Sequence, residues 1–373
     1  GIVAVETDTT CCIAASYEAK RWGVKTGTQV GQARRLCPGL RIVVARPAIY
    51  VRCHHAIVAA VNTCLPVEGI HSIDEVSCRL LGRERQPREA AALAGRVKQA
   101  IRRQVGEYLR CSVGIAPNRF LAKVAADMQK PDGLVVITRG ELPARLDGLD
   151  LEDLPGIGPR MMRRLGRHGV RTVRQLCGLD KKQMEVIWHG VVGRWWWHWL
   201  RGDDLPEAPP HRRTVGHSHV LPPQLRSRAD AGAVLVRLIH KAAARLRRLG
   251  YWARQMTVQV DYSGGRAWTG RAEPGLCRDT LTLLESFYSL WRQSPPGRPL
   301  RVGVTLAGLV ADGSATPPLF PAEQNRVRLA RAMDLLNARY GPHTLYFAGM
   351  HGVLDSAPMR ISFTSIPDLD LRA

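Results

Sequence analysis

The sequence predicts an α+β protein of several domains, and three observations carry that prediction. Short apolar strands alternate with amphipathic helices through the first part of the chain. Residues 150–202 then turn wholly helical, punctuated by Gly and Pro. From Arg213 onward the elements run strand, helix, strand, strand, helix, strand, a compact ferredoxin-like βαββαβ layout. At 373 residues and 45% hydrophobic, the chain is long enough to bury a core in each part.

The elements follow in order. Residues 1–5 read as an apolar strand with no cap or turn before it, as a processed or truncated start would look. A short helix over 16–20 ends at Gly23, and a second over 28–36 stops at Pro38-Gly39. A longer helix over 50–65 sets Ile57, Val58, Val61 and Leu65 at helical spacing. Residues 67–81 predict strand, turn, strand, with Gly69 permitting the turn. A helix over 90–106 carries Leu93, Val97 and Ile101 on one side. A strand over 111–115, a helix over 118–128 and a strand over 134–137 complete what reads as an antiparallel core. The acidic, Pro-rich stretch 203–210 reads as a linker. Beyond it come a basic helix over 230–249, two strands around Ser263-Gly264-Gly265, a helix over 279–291 and a strand over 300–309. A Pro/Gly-rich loop, a final helix over 322–340 and a tail of short apolar pieces end the chain.

Charge gives the first functional indication. Lys and Arg number 54 against 32 Asp and Glu, a net +22. Such an excess repels itself unless a polyanion relieves it, and nucleic acid is the expected polyanion. An Arg-rich proteome is the plain alternative. No apolar stretch approaches the ~18 residues of a membrane span, and no charged-then-apolar leader opens the chain. Nine Cys, an odd number without metal-type pairing, fit reduced thiols in the cytoplasm.

Four motifs carry chemistry. In Ser72-Ile73-Asp74-Glu75-Val76, two adjacent carboxylates sit in an apolar strand setting. They are costly there unless a cation meets them. Strand neighbours point to opposite faces, so both acids serve one site only at a strand start, a bulge or a hairpin rim. Mg2+ is the natural partner, and two such ions ~3.5–4 Å apart can activate a 3′-hydroxyl and stabilise a leaving pyrophosphate. An exposed acidic turn is the bland alternative. In the second motif, residues 127–133, Pro131 pushes Lys130 out of helical geometry and aims it from a helix-to-strand corner at a triphosphate. Tyr17 and Lys20, on one face of a short helix, are its candidate companions. In the third, Leu154-Pro155-Gly156-Ile157-Gly158-Pro159 followed by Gly169-Val170 makes a helix–hairpin–helix pattern. There Gly156 and Gly158 let backbone N–H groups approach a DNA phosphate. The fourth is the basic helix. Arg237, Lys241, Arg245, Arg247 and Arg248 oppose Val234, Leu235, Leu238 and Leu246, a cationic rim that Arg213 and Arg226 extend. Two further groupings predict less. Cys53-His54-His55 lacks a second ligand pair for zinc. Trp195 and Trp199 share a helix face and read as helical core.

Together these residues resemble the Y-family translesion DNA polymerases, most nearly the bacterial polymerase IV type. The resemblance rests on residues 15–20 with Gly23-Val24, Leu36-Cys37-Pro38, Ser72-Ile73-Asp74-Glu75, and Val113-Gly114-Ile115-Ala116-Pro117-Asn118. Leu121-Ala122-Lys123, Lys130-Pro131-Asp132-Gly133 and the helix–hairpin–helix pattern complete it. It implies a right hand: fingers over 1–48, N-terminally truncated; a palm with the catalytic acids over 49–142; a thumb over 143–207; a little finger over 208–310; and a C-terminal tail over 311–373.

By that resemblance Asp74 and Glu75 are the catalytic, Mg2+-holding acids. Tyr17, Lys20 and Lys130 bind the nucleotide. Gly156, Gly158, Arg213, Lys241 and Arg245 bind DNA. Lys20 stands where the family usually has Arg, a point charge in place of a fork. The family's first catalytic Asp belongs to a strand before Gly1. Glu6 and Asp8 are the only early acids and do not match its surroundings, so this stretch is expected to be inactive alone. The implied function is template-directed DNA synthesis across damage at low processivity, in the bacterial cytoplasm near the nucleoid. Primer–template DNA and deoxynucleoside triphosphates are the implied partners, with a sliding clamp as a further candidate. A non-catalytic DNA-binding accessory relative is the alternative, and the retained acidic pair argues against it.

Overall fold

The computed structural model describes residues 1–5, 11–206 and 212–357. Glu6 and Asp8, and part of the stretch read as a linker, lie outside them. The chain divides into two compact units, one formed by Gly1–Ala48 with Pro210–Arg360 and the other by Ile49–Pro209.

The N-terminal piece is a small sheet with two helices. Strand β1 (Ile2–Val5) pairs antiparallel with β2 (Cys12–Ala15) and parallel with β3 (Arg41–Val44). Helix α1 (Tyr17–Arg21) starts at Ser16, whose hydroxyl accepts from the Ala19 N–H. Helix α2 (Val30–Leu36) ends at Cys37, beside Pro38. Val3, Cys12, Ala19, Val24, Ala33 and Cys37 are fully buried between these elements.

In the second unit, helix α3 (Pro47–Asn62) leads into the hairpin β4 (Val67–Ser72) and β5 (Glu75–Cys78). Helix α4 (Pro87–Gln104) follows, then β6 (Val113–Ile115), α5 (Arg119–Met128) and β7 (Leu134–Val136). The expected single antiparallel core is corrected here. Strands β4 and β5 form one two-stranded sheet, and β6 and β7 pair in parallel as another. Parallel neighbours need a crossover, and α5 supplies it. Gly69 does not make the hairpin turn either. It lies inside β4 beside a register shift, against His71 and Ser77, and the turn falls at Ile73-Asp74.

Helices α6 (Pro159–Arg167), α7 (Val173–Cys177), α8 (Lys181–Trp188) and α9 (Val191–Trp199) share one core with α5. Leu121, Val124 and Ala125 of α5 are buried in the same cluster as Leu165, Leu176, Met184 and Trp196. Sequence reading chose the wrong tryptophan. Trp195 is exposed, whereas Trp196 is buried against Phe120 and Trp188 with ring centroids 4.9 Å apart in both contacts. Trp199 stacks on Phe120. Two glycines permit close approaches: at Gly114 a Cβ would lie 2.0 Å from the Ala122 carbonyl oxygen, and at Gly193 2.1 Å from that of Met184.

The C-terminal piece follows the expected βαββαβ order. It comprises β8 (Thr214–Val220), α10 (Arg228–Arg248), β9 (Tyr251–Trp252), β10 (Gln255–Tyr262), β11 (Ala267–Ala272), α11 (Thr280–Arg292), β12 (Pro299–Ala307), β13 (Val310–Ala311) and α12 (Pro321–Tyr340). The four long strands form an antiparallel sheet ordered β11-β10-β12-β8, and β9 pairs with β13. In β10, Met256, Val258, Val260 and Tyr262 are buried under α10 and α11, while Gln255 and Gln259 are exposed.

Helix α10 departs from the two-faced reading. Arg237 and Arg247 are buried, not solvated. Arg247 forms a bidentate pair with Asp334 of α12 at 2.6 and 2.7 Å and donates to the Arg278 carbonyl. Arg237 donates to the Ser356 carbonyl. The reason lies downstream. The residues read as a loose tail fold back, and Met350, Val353 and Ala357 join the core beneath α10. A helix covered on both sides needs partners for its arginines, and this segment and α12 supply them.

Candidate active site

The acidic pair sits at the tip of the β4–β5 hairpin. Ser72 pairs with Glu75, and Ile73-Asp74 form the turn between them. Asp74 is thus the last turn residue and Glu75 the first of β5, a hairpin-rim arrangement of the kind that lets consecutive acids serve one site. The tip is tied down locally. The Ser72 hydroxyl donates to Asp74 Oδ1 at 2.5 Å and accepts from the Asp74 N–H at 3.3 Å. Buried His54 of α3 hydrogen-bonds through Nδ1 to the Ile73 carbonyl oxygen at 2.8 Å. His54 is therefore a turn anchor, a role that the Cys53-His54-His55 run did not suggest.

Helix α5 passes this tip at Lys123 and ends at the second motif. Asn118 caps it, its Oδ1 accepting from the Leu121 N–H at 2.8 Å. Lys123 makes a very short contact from Nζ to Glu75 Oε1 and lies 3.3 Å from Asp127 Oδ2. Asp127 Oδ1 in turn meets Lys130 Nζ at 2.5 Å. Four side chains of alternating sign, Glu75, Lys123, Asp127 and Lys130, thus join the acidic tip to the predicted triphosphate lysine. Burial opposes the Lys123 charge, but the Glu75 hydrogen bond and the charges of Asp127 and Glu75 outweigh it and raise its pKa. Sequence reasoning singled out neither Lys123 nor Asp127 as a site residue. The four-residue spacing of Lys123 and Asp127 on one face of α5 was the available signal.

In the N-terminal piece, Tyr17 and Lys20 come together as expected. Lys20 Nζ lies 4.6 Å from the centre of the Tyr17 ring, and the phenol is exposed.

The helix–hairpin–helix pattern forms an open recess lined by Gly156, Gly158, Pro159, Arg160 and Arg163. Gly156 has φ +101°, a conformation that favours glycine. Gly158 occupies the N-cap of α6, and Pro159 follows at its first turn. Arg160 and Arg163 are exposed there, while Arg164 donates to the Ile187 carbonyl. In the C-terminal piece, Arg213 is exposed just ahead of β8. Lys241 is half-buried and donates to the Ala357 carbonyl at 2.8 Å, and Arg245 is half-buried beside it on α10. The sheet face away from α10 and α11 presents Gln259, Thr269, Arg271 and Arg301.

Comparison with known proteins agrees with this architecture. Residues 2–127 match the impB/mucB/samB family, and residues 212–319 match its C-terminal domain. The chain is 35% identical over 346 residues to DNA polymerase IV of Moorella thermoacetica, covering 90% of this chain and 85% of that protein. It is 31% identical over 301 residues to DNA polymerase IV of Alkalilimnicola ehrlichii, covering 80% of this chain and 84% of that one. Among solved structures, a Y-family DNA polymerase chimera of Dbh and Dpo4 superposes with a TM-score of 0.68 at 24% identity. That match covers 83% of this chain and 91% of the other.

A hairpin tipped with paired acids, a helix–hairpin–helix thumb and a separate βαββαβ module are together the build of a right-hand polymerase. The chain belongs to the Y-family of DNA polymerases, in its polymerase IV branch. It is a DNA-directed DNA polymerase of the class that copies damaged templates.

Proposed function

We propose that Asp74 and Glu75 hold Mg2+ against an incoming deoxynucleoside triphosphate, and that the chain's exposed cations bind its phosphates and the primer–template duplex. The observation that carries this reading is the hairpin tip, where the two acids follow one another at a turn fixed by Ser72 and His54. The donor set suits the ion. Among the described residues no three His, Cys, Asp or Glu side chains gather as a metal cage. Two carboxylates are what a protein commonly gives Mg2+ when phosphates and water complete its shell. Bound there, the ion supplies Lewis-acid stabilisation of the attacking and leaving oxygens in phosphoryl transfer.

The chain's own residues do the positioning. Lys130, from its helix-to-strand corner, meets the triphosphate as a point charge. The Tyr17 phenol and the Lys20 ammonium offer a donor and a cation to phosphate oxygens. The backbone N–H groups at Gly156 and Gly158, with Arg160 and Arg163, suit a duplex phosphate without reading sequence. Arg213, Lys241 and Arg245 add positive potential to the C-terminal module, and the uncovered sheet face adds Arg271 and Arg301.

Primer extension tests the assignment. Asp74→Ala is expected to lower single-nucleotide incorporation by at least ~100-fold, the order for loss of a metal-holding carboxylate. Extension by that variant at the unaltered rate removes the acids from the mechanism.

A further inference from the structure

We infer that Lys123 is a resident counter-ion that a divalent cation displaces from Glu75, and that Asp127 receives the displaced ammonium. The inference rests on the reading that Asp74 and Glu75 hold the metal. Its geometry is independent of that reading.

Lys123 Nζ contacts Glu75 Oε1 and also lies 3.3 Å from Asp127 Oδ2, so a small swing changes its principal partner. Two consecutive carboxylates at a hairpin tip repel each other. A cation on Glu75 relieves that repulsion before any metal arrives. Asp127 is itself shared, its Oδ1 holding Lys130 at 2.5 Å. With a metal on Glu75, Lys123 moves its charge onto Asp127. That weakens the hold of Asp127 on Lys130 and leaves Lys130 to the triphosphate. The relay thus makes metal occupancy and lysine availability favour each other, and such coupling is reciprocal. Burial sharpens these interactions, because Lys123 is two-thirds covered and Asp127 is covered to a similar extent.

Two substitutions on the same helix are expected to act with opposite sign. Lys123→Met removes the competitor for Glu75. Asp127→Asn removes the place to which Lys123 withdraws. The probe is Mn2+ alone, titrated into the protein bound to primer–template, with free ion counted by electron paramagnetic resonance. Lys123→Met is expected to tighten Mn2+ binding about three- to tenfold, the range for a partly exposed charge pair. Asp127→Asn is expected to weaken it by about two- to fivefold.

A merely structural role moves both variants the same way or neither, and either result overturns the inference. Circular dichroism melting reports folding, and Lys123→Gln replaces Lys123→Met if the latter melts early. Asp74→Asn is the separate control. If Mn2+ binding survives that change unaltered, the metal assignment fails. If Asp74→Asn abolishes binding while Lys123→Met does not tighten it, the counter-ion inference alone fails.

Discussion

Replacing Gly114 by alanine is expected to damage catalysis through helix α5, which packs against it. Gly114 is the middle residue of β6, and α5 packs directly against it. A Cβ there would lie 2.0 Å from the Ala122 carbonyl oxygen and 2.3 Å from the Ala126 backbone nitrogen, whereas real Cβ atoms essentially never come within 3.0 Å of such atoms. The obstacles are helix backbone, which no rotamer change removes. Helix α5 therefore has to lift by about 1 Å, at an overpacking cost of ~1–3 kcal/mol. Lys123 and Asp127 ride on that helix, and misplacement of ~1 Å in positioning groups costs on the order of 10²-fold in rate. Single-nucleotide incorporation and thermal melting of Gly114→Ala measure the two effects. Gly95→Ala is the control, since nothing lies within 4 Å of its added Cβ. There helix propensity alone predicts a gain of up to ~1 kcal/mol. If Gly114→Ala retains both the melting temperature and the incorporation rate, the claim that α5 positions the site is wrong.

Two further outcomes concern the C-terminal module. Asp334→Ala leaves the buried Arg247 guanidinium without its carboxylate. Breaking a buried pair costs ~3–5 kcal/mol, and the partial exposure of Asp334 brings the expected loss to about 2–3 kcal/mol. Faster hydrogen exchange along α12 and a lower urea midpoint report it, and Arg247→Met in the same background should recover part of the loss. His217 makes the second outcome. Burial, and then the charges of Lys241, Arg245 and Arg248, push its pKa from 6.5 to about 3 in the folded protein. It is neutral when folded, so its contribution is complete above pH 6.5 and is lost as pH falls from there toward 3. His217→Gln should flatten the fall in melting temperature between pH 6.5 and 4, and an unchanged slope counts against the assignment.

Local chemistry was the legible part of the sequence. The helices expected from about residues 16 and 118 begin there, at Ser16 and Asn118, whose side chains cap them. The Gly156–Pro159 turn fell where its turn residues put it, and the strand–turn–strand order after residue 67 was read correctly although Gly69 was not its turn. What was not legible depended on partners distant in sequence. The parallel pairing of β6 and β7 follows from the α5 crossover, which periodicity does not report. Arg237 and Arg247 looked like a solvated face because nothing local shows that residues 342–357 cover α10. Trp195 and Trp196 differ by one helical step, and only the position of Phe120 decides which is buried. At the site, the acidic pair was visible from its cost in a strand setting. The pairing of Glu75 with Lys123 spans 48 residues and was not.

Helix α5 also has a mechanical consequence. At its first turn the Asn118 amide donates to the Trp199 and Asp203 carbonyls, and Phe120 stacks on Trp199. One stiff rod is therefore tied to the α6–α9 helices at one end and bears Lys123 and Asp127 further along. Any tilt of those helices is transmitted to the chemistry as lever travel. Under the proposed assignment, a slackened hold on the double strand and a slowed nucleotide addition are two readings of a single displacement.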